Sequence, residues 1–299
     1  MIRIYLLLLA CLTAPALLGQ TQEDVNVSSG GYGMVKTNIN LQCDHAWGAV
    51  RDGFGARVSY ECLKRKSFTL TANAKYNSVK VDFEPGALSG GYDPDDIGLN
   101  DIHIIWQLGA TATARMRLFG KPLMGIAMIN SEFGIGGYER ISAIAMGLLM
   151  LRHSRDTQFG IGPLVMINST SKIPAFLVFM YRHRFNERWT INLYGGMFGV
   201  EYIPGKNTLL CAGADIDVKS FYFRPGHEDL PMTCRFTSTS FRPMLKYRHR
   251  LGDNLYVEAM GGVSLKMSCR VNGKTGTTEY FDCSRKAAPF LQASVAYSM

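Results

Sequence analysis

The sequence predicts an all-β chain that folds as a transmembrane, antiparallel, up-and-down β-barrel of about twelve strands. Three observations lead to this prediction: a hairpin phrase that occurs twice, alternating segments longer than ordinary strands, and connections that are alternately short and long. Each of them indicates hairpins repeated side by side, and together they favour a membrane barrel over a soluble β-protein.

The hairpin phrase is Tyr-Arg-His-Arg followed by an apolar residue, at residues 181–185 and again at residues 247–251. In both copies an alternating segment ends in charge, and three polar or glycine residues follow before alternation resumes, at residues 186–188 and 252–254. Two alternating segments joined by such a short polar connection are typical of a β-hairpin.

Alternation can be counted in several segments. In residues 101–118 the even positions are apolar, from Ile102 to Met116, whereas the odd positions are mostly polar or charged. Residues 67–77 and 255–267 alternate in the same way. A period of two places the two sets on opposite faces of a strand. Soluble strands average about five or six residues, whereas membrane-spanning strands need about 9–11, so the length of these segments favours the membrane.

Counting segments predicts the following strand spans: 32–44, 54–64, 67–83, 101–118, 121–133, 141–153, 157–168, 174–185, 188–202, 237–250, 254–270 and 287–299. Five short turns separate them, near residues 64–66, 119–121, 154–156, 186–188 and 252–254, and longer connections are predicted at 84–100, 204–235 and 272–285. An even number of strands lets the first pair with the last and closes the barrel. The alternative is a secreted β-sandwich, whose strands also alternate.

The N-terminus predicts a secretion signal, because Arg3 precedes an apolar stretch, and small residues follow it at Ala14, Ala16 and Gly19. A lipobox ending at Cys11 is the alternative interpretation. The predicted organisation is therefore a signal peptide at 1–19, a periplasmic lead-in at 20–31 and an outer-membrane barrel at 32–299.

Six cysteines remain after the signal, and an even number in an exported chain favours disulfides. Neighbours in sequence suggest Cys211–Cys234 and Cys269–Cys283, which leaves Cys43–Cys62, although six cysteines permit about fifteen pairings. A zinc site is the alternative, but the sequence has no CxxC pair and no suitably spaced histidine. We therefore expect no metal and no cofactor.

Basic residues gather at the ends of the strands next to the short turns, in a chain of net charge +8 and pI 9.1. Alternation predicts one shared inward face for the following: Arg115, Arg117, Arg182, Arg184, Arg242, Lys246, Arg248 and Arg250. One interpretation is a lumen that favours anions; the other is ion pairing with acidic residues inside the barrel. Export argues against nucleic acid, so lipid headgroups, lipopolysaccharide phosphates or an anionic solute are the expected anionic partners.

The segment 123–167 departs from the pattern because both of its faces are apolar. Its inward side chains either line an apolar lumen that could take a lipidic ligand, or pack against a loop or the opposite wall. Catalysis by a lipid-acting enzyme is the third functional class. His103 lies near Asp101, but no partnered serine and no GxSxG motif is present, so we expect no enzymatic activity.

In its repeated hairpins, its signal ending at Gly19-Gln20 and its terminal strand 288–299, the chain resembles the uncharacterised outer-membrane β-barrel proteins of the Bacteroides group. The resemblance implies an outer-membrane location and insertion by the barrel-assembly machinery, and it implies no activity. The predicted function is a narrow passive pore or transport channel for small, anion-leaning solutes. A structural or binding barrel with disulfide-closed surface loops is the alternative, and the oligomeric state is left open.

Overall fold

The computed structural model describes residues 37–46, 50–84, 88, 91–134, 137–167, 175–194, 197–273, 279–282 and 287–298. The predicted signal peptide and lead-in lie outside these residues. The described strands are β1 (Thr37–Ala46), β2 (Val50–Arg65), β3 (Phe68–Val81), β4 (Ile102–Leu118), β5 (Lys121–Gly134), β6 (Gly137–His153), β7 (Thr157–Ile167), β8 (Ala175–Arg184), β9 (Trp189–Leu193), β10 (Met197–Gly205), β11 (Thr208–Phe223), β12 (Cys234–Arg250), β13 (Leu255–Gly273), β14 (Glu279–Asp282) and β15 (Ala288–Ser298).

The strands form an antiparallel up-and-down barrel, as the sequence predicts. Each strand from β1 to β13 pairs with the next along the chain. β13 then pairs with β15, and β15 pairs with β1, which closes the ring. β14 stands outside the ring and pairs with the end of β13. The described residues therefore give fourteen wall strands in one closed sheet, which excludes the two-layered sandwich.

The predicted count of twelve is two short, because one region was misassigned. The predicted strand 188–202 is two strands, since Leu193 of β9 pairs with Phe198 of β10 in an antiparallel hairpin. The predicted connection 204–235 contains β11, which begins directly after a tight turn at residues 206–207. The five predicted short turns all lie between paired strands, at one end of the barrel.

The repeated phrase forms the same local structure twice. His183 shares a 2.9 Å hydrogen bond with the Thr157 hydroxyl on the neighbouring strand, and His249 shares a 3.0 Å hydrogen bond with the Thr208 hydroxyl. Each histidine ring lies nearly parallel to the ring of the tyrosine two positions earlier. Each hairpin is closed by a backbone hydrogen bond, which the amide of the last residue of the phrase donates to the carbonyl oxygen of the first residue of the next strand. Both copies therefore place an aromatic and histidine-rich stripe beside a short turn.

The outer face of the ring is apolar and exposed. Trp106 on β4 is 52% exposed and Leu245 on β12 is 68% exposed, and most other wall strands expose large apolar side chains in alternation with inward ones. Aromatic side chains on this face gather towards the short turns: Tyr60, Tyr181, Phe185, Trp189, Tyr202, Tyr247 and Tyr297. Soluble proteins rarely expose a continuous apolar belt of this size, whereas membrane barrels carry one between aromatic girdles. Among the described residues no helix is long and apolar enough to cross a membrane.

The ends of β11, β12 and β13 away from the short turns continue past the regular wall and lean into the lumen. β11 comes close to β4 and β5, although neither is its neighbour in the ring. A register shift between Thr239 and Ser240 accompanies this bend. Beyond it Cys269 and Val271 of β13 are buried, whereas uninterrupted alternation predicts that both face outward. A bulge of this kind bends a strand and re-aims its side chains.

Candidate functional site: the barrel lumen and its mouth

One part of the inner face, on β11–β13, carries ion pairs. Arg242 binds Asp215 on the neighbouring strand through two hydrogen bonds, Nε to Oδ1 at 2.8 Å and Nη2 to Oδ2 at 2.6 Å, and its Nη1 lies 3.7 Å from Asp217. Two parallel N–H···O bonds fix both side chains as well as neutralising them. The Arg242 guanidinium also lies over the Phe290 ring, 4.7 Å from its centroid.

A second ion-pair cluster lies nearer the short turns. Glu258 is buried and accepts a 2.8 Å contact from Lys246 Nζ and a 2.8 Å hydrogen bond from Arg248 Nε. One buried carboxylate is thus held by two cations, whereas Arg242 faces two carboxylates, so the two clusters together carry no net charge. Burial of ions is costly unless each is paired, so the register that places Glu258 opposite Arg248 is strongly constrained.

Another part of the inner face, on β5–β8, is apolar. Its buried members pack against one another: Ile126, Met146, Leu148, Met150, Leu164, Val178 and Met180. These members lie on neighbouring strands of one wall, so an apolar lumen and packing against a loop or the opposite wall both stay predictions for this segment. Close approach of the backbones contributes to the packing within the wall, because a Cβ on Gly162 would lie 1.6 Å from the carbonyl oxygen of Gly147.

The eight predicted lumen cations share the inward register positions but differ in their surroundings. Arg242, Lys246 and Arg248 are ion-paired as described. Arg184 and Arg250 donate to backbone carbonyls of their own turns, those of Asn186 and Gly252. The remaining three are exposed near the short turns and form no ion pair with the part of the chain that is described: Arg115, Arg117 and Arg182. Any anion attraction by this set therefore comes from the short-turn end.

The opposite mouth is filled on one side by an apolar core. The Phe221 ring of β11 stacks on His103 of β4 at 3.9 Å between centroids, and on Phe236 of β12 at 4.8 Å. Other members of this cluster, which we call the mouth core, come from the ends of β3, β11, β12 and β13 and from the β3–β4 and β11–β12 connections: Val79, Val81, Phe83, Leu88, Ile97, Leu99, Phe223, Leu230, Cys234, Cys269 and Val271. Through the mouth core, the inserted ends of β11–β13 pack against β3, β4 and the connection between them.

The other side of the inserted strands is polar. Arg235 and Tyr222 face each other across β11 and β12, and they point away from the mouth core. Their surroundings include the ion pair between Glu132 of β5 and Arg140 of β6, which come close enough for Arg140 to hydrogen-bond the Tyr222 side chain. These four residues are absent from the predicted site. The run Phe221-Tyr222-Phe223 was the signal that could have indicated them, because it is apolar on both faces.

His103 is part of the mouth core and does not form a catalytic dyad. Its Nε2 lies 2.9 Å from the Leu99 carbonyl oxygen, and its Nδ1 is buried with no hydrogen-bond partner among the described residues. Two aromatic rings contact the imidazole: Phe221 stacks on it, and Phe223 lies edge-on to it. A general base must reach a proton on the substrate, and burial keeps this ring from doing so.

Two of the predicted disulfides are wrong. Cys211 pairs with Lys246 in the β11–β12 register whereas Cys234 pairs with Phe223, so they lie at opposite ends of the hairpin as free thiols. Cys43 and Cys62 are also free thiols, since Cys43 lies opposite Phe54 and Cys62 is eight residues further along β2. Cα atoms more than about 7 Å apart cannot be bridged. The predicted partner of Cys269, Cys283, lies outside the described residues.

No protein family matches the sequence, and no match to it is found among curated proteins. Solved structures with similar strand arrangements include an outer-membrane channel from Pseudomonas putida F1, at 10% identity and a TM-score of 0.44 over 91% of this chain and 98% of that one. The toluene transporter TodX of P. putida has 11% identity and a TM-score of 0.44, covering 97% of this chain and 93% of its own. The outer-membrane phospholipase of Salmonella typhi has 8% identity and a TM-score of 0.36, covering 90% and 94%. The closed barrel is established by this chain's own strand pairing.

Proposed function

We propose that the protein is an outer-membrane channel for small solutes that favours anions. The observation that carries the proposal is the contrast between the two faces of one closed ring. On β4, Ile104, Trp106 and Leu108 are exposed on the outside, whereas Gln107 and Thr111 face inward. A closed ring that is apolar outside and polar inside suits a membrane wall around a hydrated interior.

The size of the ring is compatible with this proposal. Eight-stranded barrels are filled by their own side chains, whereas rings of about 16–18 strands leave an aqueous channel. Fourteen wall strands lie between these cases, and the inserted ends of β11–β13 narrow the interior further. The proposed channel is therefore narrow, and its passage is confined to the part of the mouth that the mouth core does not fill.

The anion preference is supported by the charges of the inner face. Arg115, Arg117 and Arg182 line the short-turn end without ion pairs in the described structure, whereas the clusters around Arg242 and Glu258 balance three cations with three carboxylates. Positive rings of this kind favour anions in pores. Outside the barrel, the apolar belt and the aromatic side chains near the short turns would contact outer-membrane lipid, and insertion would depend on the barrel-assembly machinery.

Planar-bilayer recording of the purified, heat-modifiable protein tests the proposal. We expect discrete conductance steps and, in a KCl gradient, a reversal potential on the chloride side of zero. Absence of conductance from protein whose unheated band migrates fast on a gel would reject the channel.

A structural or binding barrel is the second candidate, and the mouth core is the observation that favours it. Its largest side chains are almost completely buried, with Phe221 and Phe236 at 2% and 0% exposure, so side chains fill one side of the mouth. If the folded protein does not conduct, this candidate becomes the better account, with the loops at the mouth as the binding surface.

A further inference from the structure

The repeated hairpin phrase builds one side-chain arrangement twice on the outer face of the wall. Thr157 lies opposite His183 in the β7–β8 register, and Thr208 lies opposite His249 in the β11–β12 register. In each pair the threonine hydroxyl bonds the Nδ1 atom of the imidazole, at 2.9 Å and 3.0 Å. Neither the proposed channel nor the mouth core involves these four residues.

The backbone around each pair is bonded in the same way. The Arg184 amide donates to the Asp156 carbonyl oxygen at 2.7 Å, and the Arg250 amide donates to the Asn207 carbonyl oxygen at 2.8 Å. In both places the bond joins the residue after the histidine to the residue before the threonine. Each imidazole is therefore held both by its own ring nitrogen and by the backbone beside it.

This arrangement occupies one ring nitrogen and leaves the other available. Nδ1 is bonded to threonine, whereas the Nε2 atoms of His183 and His249 have no hydrogen-bond partner among the described residues. A neutral imidazole carries its proton on one nitrogen and accepts on the other. When the hydroxyl donates to Nδ1, the proton lies on Nε2, which is then a hydrogen-bond donor.

The two histidines share their outer face with lipid-facing side chains. Phe185 is 59% exposed, Tyr247 is 42% exposed and Leu251 is 58% exposed, and these residues continue the apolar belt towards the short turns. In membrane barrels the aromatic residues at the edge of the belt lie at the interface, and the short turns face the periplasm. The histidines are therefore at the level of the phospholipid headgroups of the periplasmic leaflet.

Each pair also has a basic residue in the exposed turn that precedes its threonine. Arg155 stands two residues before Thr157, and Lys206 stands two residues before Thr208. Basic side chains at this level attract anionic headgroups, and charged N–H donors bind phosphate oxygens strongly. Exposed acids lie in the neighbouring turns as well, at Asp156 and Asp253, so recognition depends on placed N–H donors more than on net charge.

We propose that His183 and His249 each bind the phosphate of a phospholipid in the periplasmic leaflet. Nε2 donates to a phosphate oxygen, and Arg155 or Lys206 supplies the second donor. The acyl chains of the bound lipid lie along the apolar belt, which begins beside each histidine. This binding does not depend on whether the barrel conducts.

The test is native mass spectrometry of the full-length, heat-modifiable protein in detergent, with added phosphatidylglycerol or, separately, diacylglycerol of the same acyl chains. We expect the wild type to retain two phosphatidylglycerol molecules after gas-phase activation has removed the remainder, and to retain no diacylglycerol. His183→Asn keeps a polar group near the Nδ1 position for Thr157 but lacks Nε2, so it should retain one molecule, as should His249→Asn. His183→Gln, whose amide reaches the Nε2 position, should restore the second.

The matched control is His153→Asn, because His153 is exposed at the same end of the barrel but lies opposite Gln158 rather than a threonine; it should retain two molecules. Diacylglycerol held as well as phosphatidylglycerol, or two molecules retained by both His183→Asn and His249→Asn, would overturn the proposal. If an Asn variant shows no heat-modifiable band, Arg155→Gln and Lys206→Gln replace it. Each should weaken retention at its own site, and retention equal to that of the wild type in both would also overturn the proposal.

Discussion

Strands β5–β8 and strands β11–β13 are two parts of one ring, and their inner faces differ in chemistry. The first face is packed with leucine, isoleucine and methionine, whereas the second joins buried acids and bases in ion pairs. Both arrangements remove side chains from water, but only the second leaves charge inside the barrel. One face therefore fills space, and the other sets the electrostatics of the lumen.

Among the variants that test this difference, Glu258→Gln is expected to lower the free energy of unfolding the most. It leaves Lys246 and Arg248 without their shared carboxylate, and breaking a buried ion pair costs about 3–5 kcal/mol. Urea unfolding, followed by loss of the fast-migrating gel band, measures the change. Asp253→Asn is the control, since Asp253 is fully exposed beside Arg250 and its loss should change stability little. Equal stability of the two variants would show that the ion-pair cluster is solvated.

Leu148→Ala tests the packed face. Leu148 is 0% exposed within the cluster on β5–β8, and removal of a buried leucine side chain costs about 2–5 kcal/mol. The matched variant is Leu177→Ala, whose side chain is 62% exposed on the outer face of β8. The same unfolding assay should show the larger loss for Leu148. A smaller loss would mean that this face lines an open, apolar lumen.

Gly162→Ala tests how closely the backbones of β6 and β7 approach. Its new methyl group would meet the Gly147 carbonyl oxygen, so the backbone must shift, at an expected cost of about 1–3 kcal/mol. Gly147→Ala, in the neighbouring strand, meets nothing within 4 Å and should be tolerated. If both substitutions prove neutral, the backbones of β6 and β7 are further apart at Gly162 than the 1.6 Å approach of its added Cβ implies.

The thiols provide the mildest test, since it leaves the fold intact. Cys211 and Cys234 are free and buried, whereas Cys43 and Cys62 are free and exposed. In detergent without reductant, N-ethylmaleimide should label the exposed pair first, and the buried pair should react after denaturation alone. Peptide masses would identify each site. If Cys211 or Cys234 reacts only after a reductant is added, the predicted disulfide between them is supported after all.

Period-two alternation was sufficient to predict the fold class and the short turns, because a lipid-facing strand must alternate. It failed where the chain departs from that rule. The region from 188 to 235 was misassigned because Pro204 and Gly205, taken as the start of a long loop, end β10 just before a tight turn. Proline and glycine mark where a connection begins, but they do not indicate how many residues it contains.

The mouth could not be predicted for a different reason. Alternation separates two faces of a strand but does not say what each face contacts. Phe221 and Tyr222 lie on opposite faces of β11 and are both buried, because this end of the strand lies between two walls and contacts no lipid. The partners of Arg235 likewise come from β5 and β6, and no sequence spacing connects these strands.

The most direct test of the account is a cross-link across the lumen. In a cysteine-free background, His103→Cys with Phe221→Cys joins β4 to β11, which are not neighbours in the ring but whose side chains stack at 3.9 Å. Leu41→Cys with Val295→Cys, a registered pair of β1 and β15, is the control for the closed wall. With a short bis-maleimide in outer-membrane fractions, the account predicts an intramolecular band from both pairs and from no single variant. A control pair that cross-links while the β4–β11 pair does not would contradict the inserted mouth.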